Sequence, residues 1–233
     1  MARYDMSSKA ASTPDSGLTG LLQTSKERKA PYDLLKVAIL RGELKAGQVL
    51  VETALAAFCQ VSRTPIHEAL TRLEQDGLVE RLDRGLVVRR RSPQEILNIY
   101  EVRIALEATV GRVAAERRTE HEVRLLRRIL EQTEQVRTGD QDAMVEMNDR
   151  FHKALWHASH NESLLDLLER LSLHLGRYPS TTLSFPGRWE AAKLQHVALI
   201  DAVEARDSTA AFDIALHHFT AARDIRLQLW DDA

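Results

Sequence analysis

Several common features are scarce in this chain of 233 residues. Cys59 is the single cysteine, which excludes an internal disulfide framework. Aromatic residues make up only 5% of the sequence, which favours helices packed through Leu, Ala, Val and Ile over a β-sandwich. No apolar run approaches the ~18 residues that a membrane span requires, and residues 1–23 lack the apolar segment of a signal peptide. These absences predict a mainly helical, cytoplasmic protein that has no membrane partner.

The charges are unevenly distributed along the chain. The formal net charge is −2, but residues 28–91 carry 12 basic and 8 acidic side chains, whereas residues 92–233 carry 17 basic and 23 acidic ones. A basic segment favours contact with nucleic acid, although an ordinary solvated surface can carry the same modest excess. The length of the chain suggests two domains, and the charge distribution predicts that the first one contacts DNA.

The most informative stretch is a turn and a helix over residues 59–77. Its apolar residues recur at helical spacing and form one stripe: Ile66, Ala69, Leu70 and Leu73. Thr64 and His67 fall on another face, which is free to contact a ligand. Ser62 or Thr64 can cap the start of the helix, and Gly77 suits its C-terminal end. The pattern indicates a DNA-recognition helix.

Shorter patterns on both sides extend this unit. Two helices are predicted at residues 32–40 and 52–58, and four residues separate the second helix from the recognition helix, as in a helix-turn-helix. Residues 78–82 and 86–89 are typical of two short strands that are joined by a tight turn.

Arg84 and Gly85 form the predicted tip of this hairpin. Glycine allows a close approach of the backbone to DNA and arginine supplies a cation, but a solvated turn can have the same sequence. Three helices and a basic hairpin predict a winged helix-turn-helix DNA-binding domain over residues 28–91. A flexible tail is expected over residues 1–27 because its composition favours turns and lacks periodicity.

The second half of the sequence has helical periodicity throughout. A charge run that ends in a proline predicts a linker at residues 92–94. Turn-forming residues then divide this half into six predicted helices, at about residues 93–117, 120–138, 141–159, 162–177, 188–206 and 208–230. An all-α antiparallel helical bundle over residues 95–233 is the architecture that such a run favours.

Polar residues interrupt the apolar stripes of this predicted bundle. Asn148 and His152 are four positions apart and emerge on one helix face, while His196 and His218 lie on the last two helices. Three imidazoles that converge from three helices could bind a divalent cation such as Zn²⁺. A histidine on an apolar face can also be a core residue that is bonded to backbone or water, and the spacing alone leaves both interpretations open.

Three groups of motifs together resemble one known family. The first group comprises VSRTPIHEAL at residues 61–70, LEQDGLV at 73–79 and the Arg84-Gly85 tip. The second group is YEVR at residues 100–103 with Leu106-Glu107. The third group is NDRFH at residues 148–152 and ASHN at 158–161, together with His196 and His218. With these motifs the chain resembles GntR-family transcriptional regulators of the FadR subgroup, which have a C-terminal FCD domain. The resemblance covers residues 32–230.

This resemblance implies a homodimer that binds a near-palindromic DNA operator through its two winged helices. The residues implied in DNA binding are Ser62, Arg63, Thr64, His67, Arg84 and Gly85. Arg63 would contact a guanine edge or a phosphate, and Thr64 a phosphate. Many relatives have arginine where this chain has His67, so its preferred operator is expected to differ.

The resemblance also implies a metal site and an effector in residues 95–233, the effector-binding and dimerisation domain. The implied ligands are Asn148, His152, His196 and His218, with Zn²⁺ as the expected ion and Ni²⁺ or Mn²⁺ as alternatives. The family commonly has Asp or Asn at the first of these positions, and Asn148 lacks the negative charge of Asp, which predicts weaker metal binding than in Asp-bearing relatives. The implied effector is a small carboxylate, for which Arg103 and Arg177 are candidate second anchors.

The implied function is therefore a metabolite-responsive transcriptional regulator and not an enzyme. One alternative is a metal-dependent hydrolase, in which three histidines activate water and Glu146 or Asp149 serves as the general base. Another is an architectural DNA-binding protein with a purely structural metal.

Overall fold

The computed structural model describes residues 30–175 and 182–231, and the tail predicted over residues 1–27 lies outside these described residues. The chain divides into two compact units, one ending at Arg90 and the next beginning at Arg91. The first contains helices and a two-stranded hairpin, and the second contains helices. The predicted fold class, a winged helix-turn-helix followed by a helical bundle, is confirmed.

The N-terminal unit consists of three helices and a hairpin. Its elements are α1 (Pro31–Leu40), α2 (Glu52–Cys59), α3 (Arg63–Gln75), β1 (Val79–Leu82) and β2 (Gly85–Val88). The strands are antiparallel, with Leu82 opposite Gly85 at the turn. Both α1 and α2 pack against α3. The helices therefore hold α3 on one side and leave the other side of it exposed.

The two faces of α3 differ as the sequence predicts. The apolar stripe is buried, whereas Thr64 and His67 are exposed. Ser62 is the N-cap residue, but its side chain makes no capping hydrogen bond. At the other end of α3, the Tyr32 hydroxyl of α1 donates to Asp76 Oδ2 at 2.5 Å. Burial, together with this bond to Asp76, raises the pKa of Tyr32 to about 12, so the phenol stays protonated and keeps α1 bonded to the end of α3.

The C-terminal unit is built from longer helices. They are α4 (Pro93–Arg117), α5 (Glu120–Thr133), α6 (Gln141–Ala158), α7 (Glu162–Leu175), α8 (Arg188–Glu204) and α9 (Ser208–Asp231), with a 3₁₀ turn at Thr182–Ser184. Capping boxes define the N-terminal ends of two helices. At α4, the Ser92 side chain accepts from the Glu95 backbone N–H and the Glu95 side chain accepts from the Ser92 backbone N–H; Thr119 and Glu122 form the same pair of bonds at α5. The predicted linker at residues 92–94 thus coincides with the start of α4.

Helices α4 and α9 form the most extensive contact in this unit. Gly111 of α4 is buried where the α9 backbone approaches, and a Cβ atom at this position would lie 2.6 Å from the carbonyl oxygen of Ala211. The absence of a side chain at Gly111 therefore allows the two helices to pack closely. Buried side chains from α4, α6, α8 and α9 form the core around this contact.

One helix ends earlier than its sequence pattern predicts. The pattern continues to residue 138, but α5 ends at Thr133. The chain then forms a turn in which Gln135 N donates to Gln132 O and Val136 N donates to Thr133 O. These bonds span three residues instead of four, so the chain leaves the helix although the apolar spacing continues through Val136.

Candidate functional site

Three histidines from three helices meet in the helical unit. His152 of α6, His196 of α8 and His218 of α9 have ring centroids 4.9 to 5.2 Å apart, and the nitrogen atoms that could bind a cation lie within 4.8 Å of one another. Each residue is at most 3% exposed. The convergence that the sequence left open is therefore present, and these three residues are called the histidine cluster below.

The polar atoms around the cluster have few partners. Neither ring nitrogen of His152 has a hydrogen-bond partner in the described part of the chain, nor do Nε2 of His196 and Oδ1 of Asn148. Asn148 precedes His152 by one helical turn on α6. A buried polar atom without a partner is costly, and a group of buried nitrogen atoms this close together fits a divalent cation.

The tautomer of His218 follows from two neighbours. Arg188 Nη1 lies 2.8 Å from Gln195 Oε1, and because a guanidinium can only donate, the amide atom facing it accepts. His218 Nδ1 lies 2.8 Å from the same oxygen and 3.3 Å from Arg188 Nη2; the shorter contact, to an oxygen that can only accept, assigns the proton to Nδ1. The lone pair of His218 is consequently on Nε2, which is the arrangement that a metal ligand needs.

Burial also keeps the imidazoles neutral. It lowers the pKa of His196 to about 3 and lowers the pKa values of His152 and His218 well below the ordinary value of 6.5. Nearby Arg188 lowers all three further, because a second positive charge disfavours protonation. Neutral imidazoles can bind a cation without first releasing a proton.

Aromatic rings enclose the cluster. The ring of Phe151 stacks on His196 with centroids 3.9 Å apart, and the ring of Phe219 lies 4.9 Å from both His152 and His218. Phe151 is fully buried. These rings limit access of water and lower the local dielectric, which strengthens the interaction of any charge at the site.

Arg103 lies beside the cluster but has an anionic partner. Its Nε donates to Glu107 Oε1 at 3.2 Å, and its guanidinium lies 4.9 Å from the ring centroid of Phe219. Trp156 Nε1 donates to the other oxygen of Glu107 at 2.8 Å. Burial of Glu107 raises its pKa, and both hydrogen-bond donors oppose that rise. Arg177, the other arginine predicted to anchor an effector, lies outside the described residues.

The exposed face of α3 carries the predicted DNA-contacting residues. His67 Nδ1 lies 2.9 Å from Glu52 Oε1, and Arg63 Nη2 lies 3.6 Å from Glu52 Oε2. At the hairpin tip the exposed Arg84 donates to the carbonyl oxygen of Gly47 at 3.1 Å. Glu52 thus holds two side chains of the face that is free to contact DNA.

The sequence matches known families over both units. Residues 28–88 match the bacterial regulatory proteins of the gntR family, and residues 98–221 match the FCD domain. This chain belongs to the GntR family. The HTH-type transcriptional regulator YdhC of Bacillus subtilis is 33% identical to this GntR-family chain over 195 residues, which cover 81% of it and 85% of YdhC.

Other relatives of this GntR-family chain are regulators too. The Nta operon transcriptional regulator of Aminobacter aminovorans is 31% identical over 181 residues, covering 73% of this chain and 81% of that protein. The HTH-type transcriptional repressor RspR of Escherichia coli is 27% identical over 194 residues, covering 82% of this chain and 85% of RspR. The chain is accordingly a DNA-binding transcriptional regulator and not an enzyme.

The fold of this GntR-family chain is similar to that of a solved structure. McbR/YncC of E. coli superposes with a TM-score of 0.71 at 23% identity, covering 93% of this chain and 100% of McbR/YncC. Among the helices of the described residues, none has both the length and the apolar character needed to cross a bilayer.

The acidic residues considered for the hydrolase alternative are not part of the histidine cluster. Glu146 and Asp149 are surface residues of α6, although partial burial raises the pKa of Asp149 while Lys153 and Arg103 oppose the rise. Glu107 is buried and is bonded to Trp156 and Arg103. The relatives of the GntR-family chain are regulators, which argues against the hydrolase alternative.

Sequence reasoning missed part of the site. Gln195 and Trp156 received no role, because a single glutamine or tryptophan in a helix has no pattern that distinguishes it from a core or surface residue. Arg188, Trp189 and Phe185 are near one another in the sequence but lie at different places in the unit. Arg188 contacts the histidine cluster, whereas Trp189 and Phe185 line a separate cavity with Leu183, Met144 and residues near Gly139.

Proposed function

We propose that this regulator responds to a small organic acid that binds at a divalent cation held by Asn148, His152, His196 and His218. The observation that carries the proposal is the group of buried ring nitrogens of His152 and His196, within the histidine cluster, that have no hydrogen-bond partner among the described residues, with the unpartnered Asn148 Oδ1 one helical turn before His152. Three imidazoles suit Zn²⁺, and Ni²⁺ or Mn²⁺ are the alternatives. When bound, such a cation supplies a Lewis-acid anchor for a carboxylate.

The chain's own residues would position the acid. Phe151 and Phe219 exclude water from the cluster, which strengthens the electrostatic attraction of a carboxylate. Arg103 extends from α4 to the ring of Phe219, and its remaining N–H groups could bond an oxygen of the acid while Nε stays bonded to Glu107. Arg177 is the other proposed anchor.

In our proposal the domain of residues 28–91 binds DNA and the domain of residues 95–233 binds effector and forms a homodimer. The two-fold symmetry of the dimer would match a near-palindromic operator. The α3 residues Ser62, Arg63, Thr64 and His67 would enter the major groove, and Arg84 with Gly85 would contact the backbone or the minor groove. The exposure of Ser62 at the N-cap of α3, of Arg63, Thr64 and His67 on α3, and of Arg84 at the hairpin tip supports these roles.

The switch requires only a modest difference between two states. An acid that binds the dimer more tightly in one conformation shifts the population towards it. A tenfold change in operator affinity corresponds to about 1.4 kcal/mol of coupling.

The direct test measures binding to an operator from the chain's own promoter region, with metal-loaded protein and a panel of small organic acids. We expect at least one acid to change operator affinity by about tenfold or more. Replacing His152 and His196 by phenylalanine should abolish the response and preserve operator binding, whereas His157→Phe, at an exposed position of α6, is the matched control. A protein that is insensitive to every acid, with or without metal, would instead be an architectural DNA-binding protein.

A further inference from the structure

Arg188, the first residue of α8, is a buried cation without an acidic partner. It is 4% exposed, and no carboxylate of the described residues lies within ion-pair distance of it. Its Nη atoms donate to Gln195 Oε1 and to the carbonyl oxygen of His218, which are both neutral acceptors, and its Nε has no hydrogen-bond partner. Buried charges are normally paired, so an unpaired guanidinium at a ligand site indicates a missing anion.

The position of this guanidinium places the missing anion at the histidine cluster. Arg188 Nη2 lies 3.5 Å from His218 Nε2, the nitrogen whose lone pair is available to a cation. An anion that is bound to a cation at the cluster would therefore lie beside Arg188. The unpartnered Nε–H and the second hydrogen of Nη1 remain as donors for its oxygen atoms, whereas Nη2 already faces the carbonyl oxygen and ring of His218.

The charges around the site determine how much negative charge a ligand must bring. Arg103 is paired with Glu107, and the amide of Asn148 carries no charge. The uncompensated positive charges are thus those of Arg188 and of the divalent cation. A single carboxylate would neutralise one of these three charges, and a dicarboxylate would neutralise two.

We infer that Arg188 anchors the effector and selects dicarboxylates, with one carboxylate at the cation and the second at the Arg188 guanidinium. This inference rests on the proposed function, because it assigns the class of acid to the same site. A guanidinium and a carboxylate form directional charge-assisted hydrogen bonds, which an uncharged end of a monocarboxylate cannot form.

The test uses pairs of acids that share a carbon chain and differ in the second carboxylate. The pairs are malate and 2-hydroxybutyrate, succinate and butyrate, and 2-oxoglutarate and 2-oxovalerate. Binding of each to zinc-loaded full-length protein is measured by isothermal titration calorimetry. In at least one pair we expect the dicarboxylate to bind about tenfold more tightly or better, since a hydrogen-bonded charge pair contributes about that much. Equal affinities in every pair, or no binding of any acid, would overturn the inference.

Variants then assign the preference to Arg188. Arg188→Gln should reduce the preference to less than about threefold, and Arg188→Lys should retain part of it because the charge remains. Arg170→Gln, at an exposed position of α7, is the matched control and should keep the native preference. An Arg188→Gln protein that keeps zinc and the full preference for dicarboxylates would contradict the inference.

Arg188 also holds Gln195, which positions His218, so Arg188→Gln could lose zinc and a second variant is needed. Asn148→Asp adds a negative charge at the cation, which leaves less positive charge for a second carboxylate to neutralise. We expect it to reduce the preference for dicarboxylates at least threefold, and an unchanged preference would contradict the inference. Operator binding is measured in parallel. A dicarboxylate that binds without changing operator affinity would refute the proposed switch and leave the Arg188 site intact. If monocarboxylates bound as tightly as dicarboxylates and released the operator, the proposed switch would be supported and the role of Arg188 refuted.

Discussion

At the scale of single residues, Gln195 determines which nitrogen of His218 can bind a cation. Its amide oxygen accepts from His218 Nδ1, and Arg188 holds that oxygen in place. Partners of this kind typically contribute a factor of about 10 to 100 in metal affinity. Gln195→Leu should therefore weaken zinc binding by at least about tenfold, measured by competition with a chromophoric chelator.

A conservative variant separates this role from packing. Gln195→Glu retains an oxygen acceptor for both neighbours and should bind zinc far better than Gln195→Leu. If the leucine variant retained the native zinc affinity, the tautomer of His218 would not depend on Gln195.

Asn148 is a second residue whose chemistry sets metal affinity. Its Oδ1 is buried and has no partner in the described residues, but an amide oxygen carries no formal charge. Asn148→Asp should tighten zinc binding by about tenfold or more, because a carboxylate attracts a dication more strongly than an amide does. Asn98→Asp adds the same charge at an exposed position of α4 and serves as the control. Tighter zinc retention by the native protein than by Asn148→Asp would contradict this prediction.

His67 sets the expected base preference of α3. Glu52 occupies Nδ1 of its ring, so Nε2 is the ring nitrogen left to contact a base. Imidazole cannot form the bidentate contact of arginine with guanine, which contributes about 1 to 3 kcal/mol. His67→Arg should therefore favour operators with guanine at the contacted position by about tenfold, measured with a library varied at each position. The same change at the exposed His157 should leave the preference unaltered, and an unaltered preference in His67→Arg would show that His67 does not contact a base.

At the scale of elements, the close packing of α4 on α9 depends on Gly111. A methyl group there would meet the Ala211 carbonyl oxygen at 2.6 Å, and backbone atoms cannot move aside as a flexible side chain can. Gly111→Ala should destabilise the helical unit by about 1 to 3 kcal/mol, despite the higher helix propensity of alanine. Chemical denaturation measures the loss. Ala105→Ser, on the exposed side of α4, is the control, and a Gly111→Ala protein as stable as the native one would mean that α9 can shift without cost.

The helices themselves were largely predictable, because their signals are local. The start of α4 follows from Ser92, Pro93 and Glu95, which form a capping box around a proline that needs no donor. The end of α5 was not predictable, because the apolar spacing continues to Val136 while the backbone already turns at Thr133. Helix periodicity indicates which face of a helix is buried, but it does not indicate where the backbone hydrogen bonds change from spanning four residues to spanning three.

The candidate site was predictable only in part. The spacing of Asn148 and His152 places both on one helix face, the helical pattern places His196 and His218 on the last two helices, and the family resemblance added the expectation that all four bind one cation. The contact of Gln195 with His218 depends on how α8 packs against α9, since these residues are 23 positions apart. The burial of Arg188 without a carboxylate is likewise a property of the packed helices, which no local pattern indicates.

At the scale of the whole molecule, charge and chemistry divide between the two units. The basic residues of the first half accompany the exposed face of α3, whereas the second half is acidic overall and encloses neutral imidazoles. The family matches follow the same division, with the gntR match over residues 28–88 and the FCD match over residues 98–221. A protein built in this way can alter its histidine cluster without altering the exposed face of α3.

The buried imidazoles make the stability of the metal-free protein depend on pH. Burial lowers the pKa of His196 from 6.5 in the unfolded chain to about 3 in the folded one. Above pH 6.5 the ring is neutral in both states, and as the pH falls towards 3 only the unfolded chain binds the proton. The free energy of unfolding must therefore decrease as the pH decreases from 6.5 to 3. His152 and His218, whose pKa values are also lowered, act in the same direction.

Replacing one histidine should remove its share of this dependence. In chelator-treated protein, His196→Gln should reduce the slope of unfolding free energy between pH 6 and pH 5 by about 1 kcal/mol per pH unit. Tryptophan fluorescence can monitor unfolding of the helical unit selectively, because all three tryptophans lie in residues 95–233. His157→Gln, at an exposed position, is the matched control. An equal slope in the native and His196→Gln proteins would mean that His196 takes up a proton in the folded state, and the site would then hold a cation only in competition with protons.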